Sequence, residues 1–363
     1  EKMAQSPSDV VVSDMLMAGM NGAQFLAEVK IRHPHTVRLI LSGHADRELI
    51  LSCLKSAHQL LSKPCQPDIL KATVTRMSAL RSTLPNDGVR QTVTRMTSVP
   101  SLPERYRELA DKLREPETTI EEAATIVAQD VGMTAKVLQL MNSGFFATRK
   151  PASNATEAAL NLGLDNLRAL LLSGDAFSPF ASAGFGESSM EALWRHSLET
   201  AMAARTIAVL ENADKKLAEE TFTAGLLHDV GKFVLASHFA SGCAEAARLA
   251  GLGGLELWAA EDQVFGVSHA EVGGYLLGLW GLPAALVETA ALHHHPSRSA
   301  TRVFTSLTAV HVANALIQDC TGGPNGVPAA VMDFEYIEAL GLTARLDCWR
   351  EAVREHFSVS LCS

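Results

Sequence analysis

No C-x-x-C pair occurs in this chain, whose six cysteines (Cys53, Cys65, Cys243, Cys320, Cys348 and Cys362) are scattered over 363 residues. That scatter argues against a thiolate zinc site and a disulfide framework, so the cysteines read as reduced thiols. There is also no Lys/Arg-rich run and no basic stretch interleaved with aromatics, and the formal net charge is −9. Direct nucleic-acid binding is therefore not expected. No apolar segment is both long enough and charge-poor enough to span a bilayer, and no signal-peptide pattern opens the chain. The expected compartment is the cytoplasm, with no membrane partner. Fixed-period repeats and low-complexity tracts are absent as well.

What is present changes character along the chain. Residues 1–82 alternate short apolar runs with amphipathic stretches: strands are expected at Val10–Asp14, Val37–Ser42 and Gln59–Ser62, and helices at Gly22–His33, Arg47–Lys55 and Asp68–Leu80. This is the pattern of a parallel, doubly wound sheet. A sheet of this kind needs a strand, a helix and another strand before Val10, so the domain is expected to be N-terminally incomplete in these residues. Residues 83–101, with Leu84-Pro85-Asn86-Asp87-Gly88 as a turn cluster, read as a linker carrying a short helix. From residue 102 to 320 only helical periodicity remains, and residues 321–363 read as a C-terminal helical extension. Thr118-Thr119-Ile120-Glu121, Asn154-Ala155-Thr156-Glu157 and Ser268-His269-Ala270-Glu271 are expected helix starts, each with a side-chain acceptor three residues before a Glu. Residues 177–189 read as a loop between two helical lobes.

Polar groups close the apolar runs at the carboxyl ends of the expected strands, where open α/β sheets place their chemistry. Asp14 ends the first strand, Ser42 the second, and Lys63-Pro64 follows the third. Taken alone, Asp14 would be a carboxylate capping the next turn. Taken together, residues 11–64 resemble the receiver domain of two-component response regulators, a flavodoxin-like α/β fold. The resemblance implies that Asp14 is the phosphoacceptor, that Ser42 and Lys63 contact the phosphoryl group, that the Lys63–Pro64 peptide is cis, and that Mg²⁺ is the cofactor. A sensor histidine kinase is the implied phosphodonor. The acidic residues that complete the Mg²⁺ site would come from a loop after the first strand of the family, and none can be named here. Ala18 and Leu60 depart from the family's usual proline and switch aromatic.

The second informative string is Leu226-Leu227-His228-Asp229-Val230-Gly231-Lys232. Adjacent His and Asp inside an otherwise apolar helix are costly to bury unless they bind something, and a metal ion satisfies both. His196, His269, His293 and His294 follow at other helical positions. This pattern resembles the HD domain, and residues 102–314 resemble the HD-related output domain, HDOD, an all-α fold. The resemblance implies metal ligands at His196, His228, Asp229, His269, His293 and His294, with Lys232 near a substrate phosphate. Such a donor set suits Fe, Mn, Zn or Ni. Asn314 stands where the family has a further acid, and the Gly-Tyr-Pro loop of cyclic-di-GMP phosphodiesterases is absent after His294. Two plainer readings stay open: His228 and Asp229 as a hydrogen-bonded polar relic, and one of the paired histidines as a helix C-terminal cap.

The expected whole is multidomain: a receiver followed by an all-α HDOD output module that acts through an unidentified downstream protein. The tail helices are expected to pack back on the domain or to form a homodimer. The competing expectation is a receiver-gated, metal-dependent phosphohydrolase.

Overall fold

The computed structural model describes residues 2–6, 8–43, 53, 55–143, 151–172, 177, 187–321 and 331–360. Most of the helix expected over residues 47–55, and most of the loop expected over 177–189, lie outside the described residues. The chain divides into two compact units, Glu1–Phe180 with Tyr275–Pro283, and Ala181–Gly274 with Ala284–Ser363.

The first unit opens on a three-stranded parallel sheet, β1 (Val10–Asp14), β2 (Val37–Ser42) and β3 (Gln59–Ser62), in that order. Its register pairs Val12 with Leu39 and Asp14 with Leu41, and pairs Leu41 with Leu61 and Ser42 with Ser62. Asp14, Ser42 and the residue after Ser62 therefore reach one end of the sheet together. Helix α1 (Gly22–Arg32) starts on a reciprocal cap in which Asn21 and Gln24 bond each other's backbone amides. Gly22 is required there, because a Cβ would sit 2.2 Å from the Asp14 carbonyl oxygen. Helix α2 (Pro67–Leu80) begins with proline at its first turn, where a missing N–H costs nothing.

The stretch expected as a linker is not a loose tether. It forms α3 (Asp87–Arg95), and Leu84, Val93 and Val99 are fully buried. Arg38 of β2, itself fully buried, donates to the Thr94 carbonyl at 2.7 Å and to the Ser56 carbonyl at 2.6 Å, and so ties this stretch to the sheet. Burial brings its guanidinium down to about 10. Helices α4 (Pro103–Arg114), α5 (Ile120–Val127), α6 (Val131–Met141), α7 (Ala155–Leu162) and α8 (Leu164–Leu172) complete the unit. The cap of α5 is Thr119 with Glu122, one residue later than the expected Thr118 with Glu121. Thr118 donates to the Lys112 carbonyl instead, which leaves the next hydroxyl to start the helix.

The regular elements described in the second unit are helices: α9 (Glu187–Leu210), α10 (Lys215–Leu227), α11 (Val230–His238), α12 (Ala240–Gly253), α13 (Leu257–Phe265), the start of α14 (His269–Leu279), α15 (Ala284–Leu292), α16 (Ser306–Thr321), α17 (Phe334–Ala339) and α18 (Leu346–Ser360). Helix α9 packs against α10, α16 and α18. Trp349 of α18 is fully buried and donates its indole N–H to Glu211 at 2.9 Å, fixing the tail helix to this unit. No helix among the described residues is long and apolar enough to cross a membrane.

Candidate functional site

At the carboxyl end of the sheet, both oxygens of Asp14 are engaged. Oδ1 accepts the Leu16 amide at 3.2 Å, and Oδ2 is ion-paired with the Lys63 ammonium. Bonds from Lys63 first, and from Leu16 second, hold the carboxyl below its ordinary value. Both side chains remain well exposed to solvent. The Lys63–Pro64 peptide is cis, and the Lys63 amide donates to the Ser42 carbonyl at 2.7 Å. Ser42 is buried, with its hydroxyl donating to the Gly43 carbonyl at 3.2 Å. The turn-capping role and the lysine partner coexist on one carboxylate.

The second constellation lies in the helical unit. His228 and Asp229 do not sit inside a helix: α10 ends at Leu227 and α11 begins at Val230. The break matters because successive side chains on an unbroken helix point to different faces. Here Asp229, at φ −98° and ψ 15°, brings Oδ2 within 3.3 Å of His228 Nε2. Helix α11 then crosses the start of α14 so closely that a Cβ on Gly231 would lie 1.9 Å from the His269 carbonyl oxygen.

Asp229 is fully buried, and each oxygen faces a different pair of imidazoles. Oδ1 lies 3.2 Å from His269 Nε2 and 3.6 Å from His293 Nε2. Oδ2 lies 3.3 Å from His228 Nε2, 3.5 Å from His196 Nε2 and 2.6 Å from Lys232 Nζ. His294 Nε2 completes the group, 3.0 Å from His269 Nε2. Two sets of donor atoms are close enough to hold a cation, His196 with His228 and Asp229, and His269 with His293 and His294. All six expected ligands are thus brought together. Lys232 is drawn to the carboxylate. Asn314 is buried on α16, with its Oδ1 accepting from Gln318 at 3.1 Å.

The orientation of the rings is set from behind. His228 Nδ1 lies 2.6 Å from the Gly225 carbonyl and His293 Nδ1 lies 2.9 Å from the Ala290 carbonyl. A carbonyl can only accept, so each Nδ1 carries a proton and each Nε2 is turned toward Asp229. Burial pushes His196 down to about 3 and holds His293 and His294 well below their ordinary value, so these rings are neutral. Burial works to raise the Asp229 carboxyl, yet His228 and Lys232 beside it keep it ionised. His196 Nε2, His228 Nε2, His293 Nε2 and Asp229 Oδ1 are buried with no hydrogen-bond partner. An unsatisfied buried polar atom costs about 1–3 kcal/mol. Divalent metal in the two donor sets would satisfy them, so the donors fit a metal.

Glu261 of α13 was not singled out by the sequence, although its carboxylate reaches His269 Nδ1 at 2.5 Å. The available signal was its place between Leu257 and Phe265 on the apolar stripe of α13, where an acid is out of pattern. His311, also unnoticed, bonds the His293 carbonyl at 2.7 Å and accepts the Asp333 amide at 2.9 Å.

The HDOD domain model matches residues 99–296, and the response regulator receiver domain model matches residues 1–75. An uncharacterized protein of Treponema pallidum is 24% identical over 68% of this chain and 47% of its own length. The hydrogenase transcriptional regulatory protein HoxA of Cupriavidus necator is 35% identical over 28% of this chain and 22% of its own length. The chain therefore spans less than half the length of these curated relatives. Among solved structures, the MmoQ response regulator of Methylococcus capsulatus is similar, with 25% identity, a TM-score of 0.51, and coverage of 70% of this chain and 98% of that one. A virulence factor of Campylobacter jejuni shares the fold at 22% identity and a TM-score of 0.55, over 73% of this chain and 95% of its own.

Proposed function

Because the chain belongs to the HDOD family and carries a response-regulator receiver domain ahead of that module, we propose that it is a phosphorelay response regulator phosphorylated on Asp14. The observation that carries this reading is the Lys63 ammonium on the Asp14 carboxylate at the carboxyl end of three parallel strands. In such a step an Asp14 carboxylate oxygen attacks the phosphorus as the P–N bond of the donor's phosphohistidine breaks and its imidazole leaves, the lysine adds positive charge beside the new acyl phosphate, and the Ser42 hydroxyl turns to the added oxygens. Mg²⁺, when bound, neutralises the phosphoryl oxygens. A histidine kinase is the natural phosphodonor, and the output is binding of a downstream protein by the HDOD module. The full-length protein given a small phosphodonor and Mg²⁺ is expected to label stoichiometrically, and Asp14→Ala is not. Equal labelling of both would end this assignment.

The orphaned donors around Asp229 support a second reading, in which the helical unit holds a divalent metal. His196, His228, Asp229, His269, His293 and His294 would be its ligands, and the metal would supply a Lewis acid for phosphoester hydrolysis. Lys232 keeps the Asp229 carboxylate charged and is the nearest cation for a substrate phosphate. Elemental analysis of protein purified without chelators separates the readings. Metal near one or two per chain, lost in His228→Ala and Asp229→Ala, supports the second; metal far below one per chain removes it and leaves the binding module.

A further inference from the structure

The three imidazoles behind Asp229 with visible Nδ1 contacts are not held alike. His228 and His293 rest on neutral backbone carbonyls, whereas His269 rests on a carboxylate. Glu261 is nearly fully buried, and its Oε2 accepts two bonds from the same residue: the His269 backbone amide at 2.8 Å and the ring Nδ1 at 2.5 Å. The first fixes where α14 begins, because an amide in the first helical turn has no partner within the helix. The second fixes the ring. With Nδ1–H committed to the carboxylate, Nε2 is left facing Asp229 Oδ1 at 3.2 Å and His294 Nε2 at 3.0 Å.

We propose that Glu261 is a positioning residue that locks His269 in the tautomer whose Nε2 is a donor to a divalent cation and, through its charge, strengthens that donor. The proposal rests on the metal reading given above and extends it to a residue outside the ligand set. A carboxylate is a better hydrogen-bond acceptor than a carbonyl, so the imidazole it holds has more electron density at the far nitrogen. A buried carboxylate also lends the site a negative charge, which Asn314 does not supply. The two bonds to one oxygen make the position of the ring follow the start of the helix.

The test uses the full chain with Mn²⁺ as the probe, free ion being counted by electron paramagnetic resonance. Glu261→Gln keeps the shape and one acceptor but removes the charge, and is expected to weaken Mn²⁺ affinity by roughly 10–100-fold. The second readout needs no metal. In ¹⁵N spectra of the metal-free protein, followed up in pH until the His269 ring has lost one proton, the wild type is expected to keep the remaining proton on Nδ1, and Glu261→Ala to shift it toward Nε2. A merely structural glutamate would leave the tautomer unmoved while lowering the melting temperature. Wild-type binding with unchanged affinity in Glu261→Gln overturns the proposal and leaves the metal reading intact. No Mn²⁺ binding by the folded wild type overturns the metal reading and this proposal with it.

Discussion

A carboxylate with no exposure, one ammonium neighbour and four imidazole nitrogens within 3.6 Å is an arrangement whose balance depends on charge. Lys232 meets part of it, at 2.6 Å from Oδ2, while Oδ1 has no hydrogen-bond partner. Asn314 is the neutral residue where the resemblance implies a further acid, and its Oδ1 accepts from Gln318 at 3.1 Å. Replacing it with aspartate adds one buried negative charge near the donors. Metal-free Asn314→Asp is expected to be less stable than wild type by a few kcal/mol, about the cost of breaking a buried charge pairing. In the presence of Mn²⁺ that loss is expected to reverse, with affinity about tenfold tighter, or roughly 1.4 kcal/mol. Paired thermal melts with and without Mn²⁺ check both signs. Destabilisation that Mn²⁺ does not relieve would mean that the added charge fails to face the ion.

At the scale of elements, Asp130 shows how one helix start depends on pH. It caps α6, with Oδ1 accepting the Met133 amide at 2.8 Å and Oδ2 the Leu102 amide at 2.8 Å, and it is fully buried. Burial outweighs those bonds and pushes its carboxyl up to about 6. The folded value therefore lies above that of the unfolded chain, so between the two the native state keeps a proton the unfolded state has lost. The stability this gives is full below about pH 4 and is lost as pH rises to about 6, by up to roughly 3 kcal/mol. Asp130→Asn is neutral throughout and is expected to lack that downward component, which denaturant titrations at stepped pH read as the difference between the two proteins. Parallel curves would show that Asp130 is already ionised in the native state. The helix starts at Asn154 and Ser268, and strands β1, β2 and β3, were legible because capping chemistry and apolar runs are local. The break between α10 and α11 was not, because apolar periodicity runs through it and only the convergence of His228 and Asp229 requires it. Glu261 was illegible for a related reason: its partner is eight residues away on another helix, and sequence shows only an acid out of pattern.

At the scale of the whole molecule, two charged centres stand out among the described residues, Asp14 with Lys63 in the first compact unit and the histidine cluster around Asp229 in the second. They differ in what each asks of its surroundings. The first is exposed, and its ion pair is of the kind that contributes little to stability, so removing it is expected to leave folding nearly unchanged. Asp14→Ala should then melt within about 1 kcal/mol of wild type, even as labelling is lost. The second is buried and joins α9, through His196, to the α10–α11 break, the start of α14 and the end of α15, so bound metal would tie five helices together. A ligand that binds only the folded state adds about 2.7 kcal/mol at a hundredfold excess over its dissociation constant. Removing metal with a chelator is therefore expected to increase amide hydrogen exchange around residues 193–199, 225–232, 269–273 and 290–294 while leaving β1, β2 and β3 unchanged. The contrast follows from which helices carry the ligands. Uniform loss of protection through both units, or none in either, would break the link between the cluster and the stability of the helices that carry it.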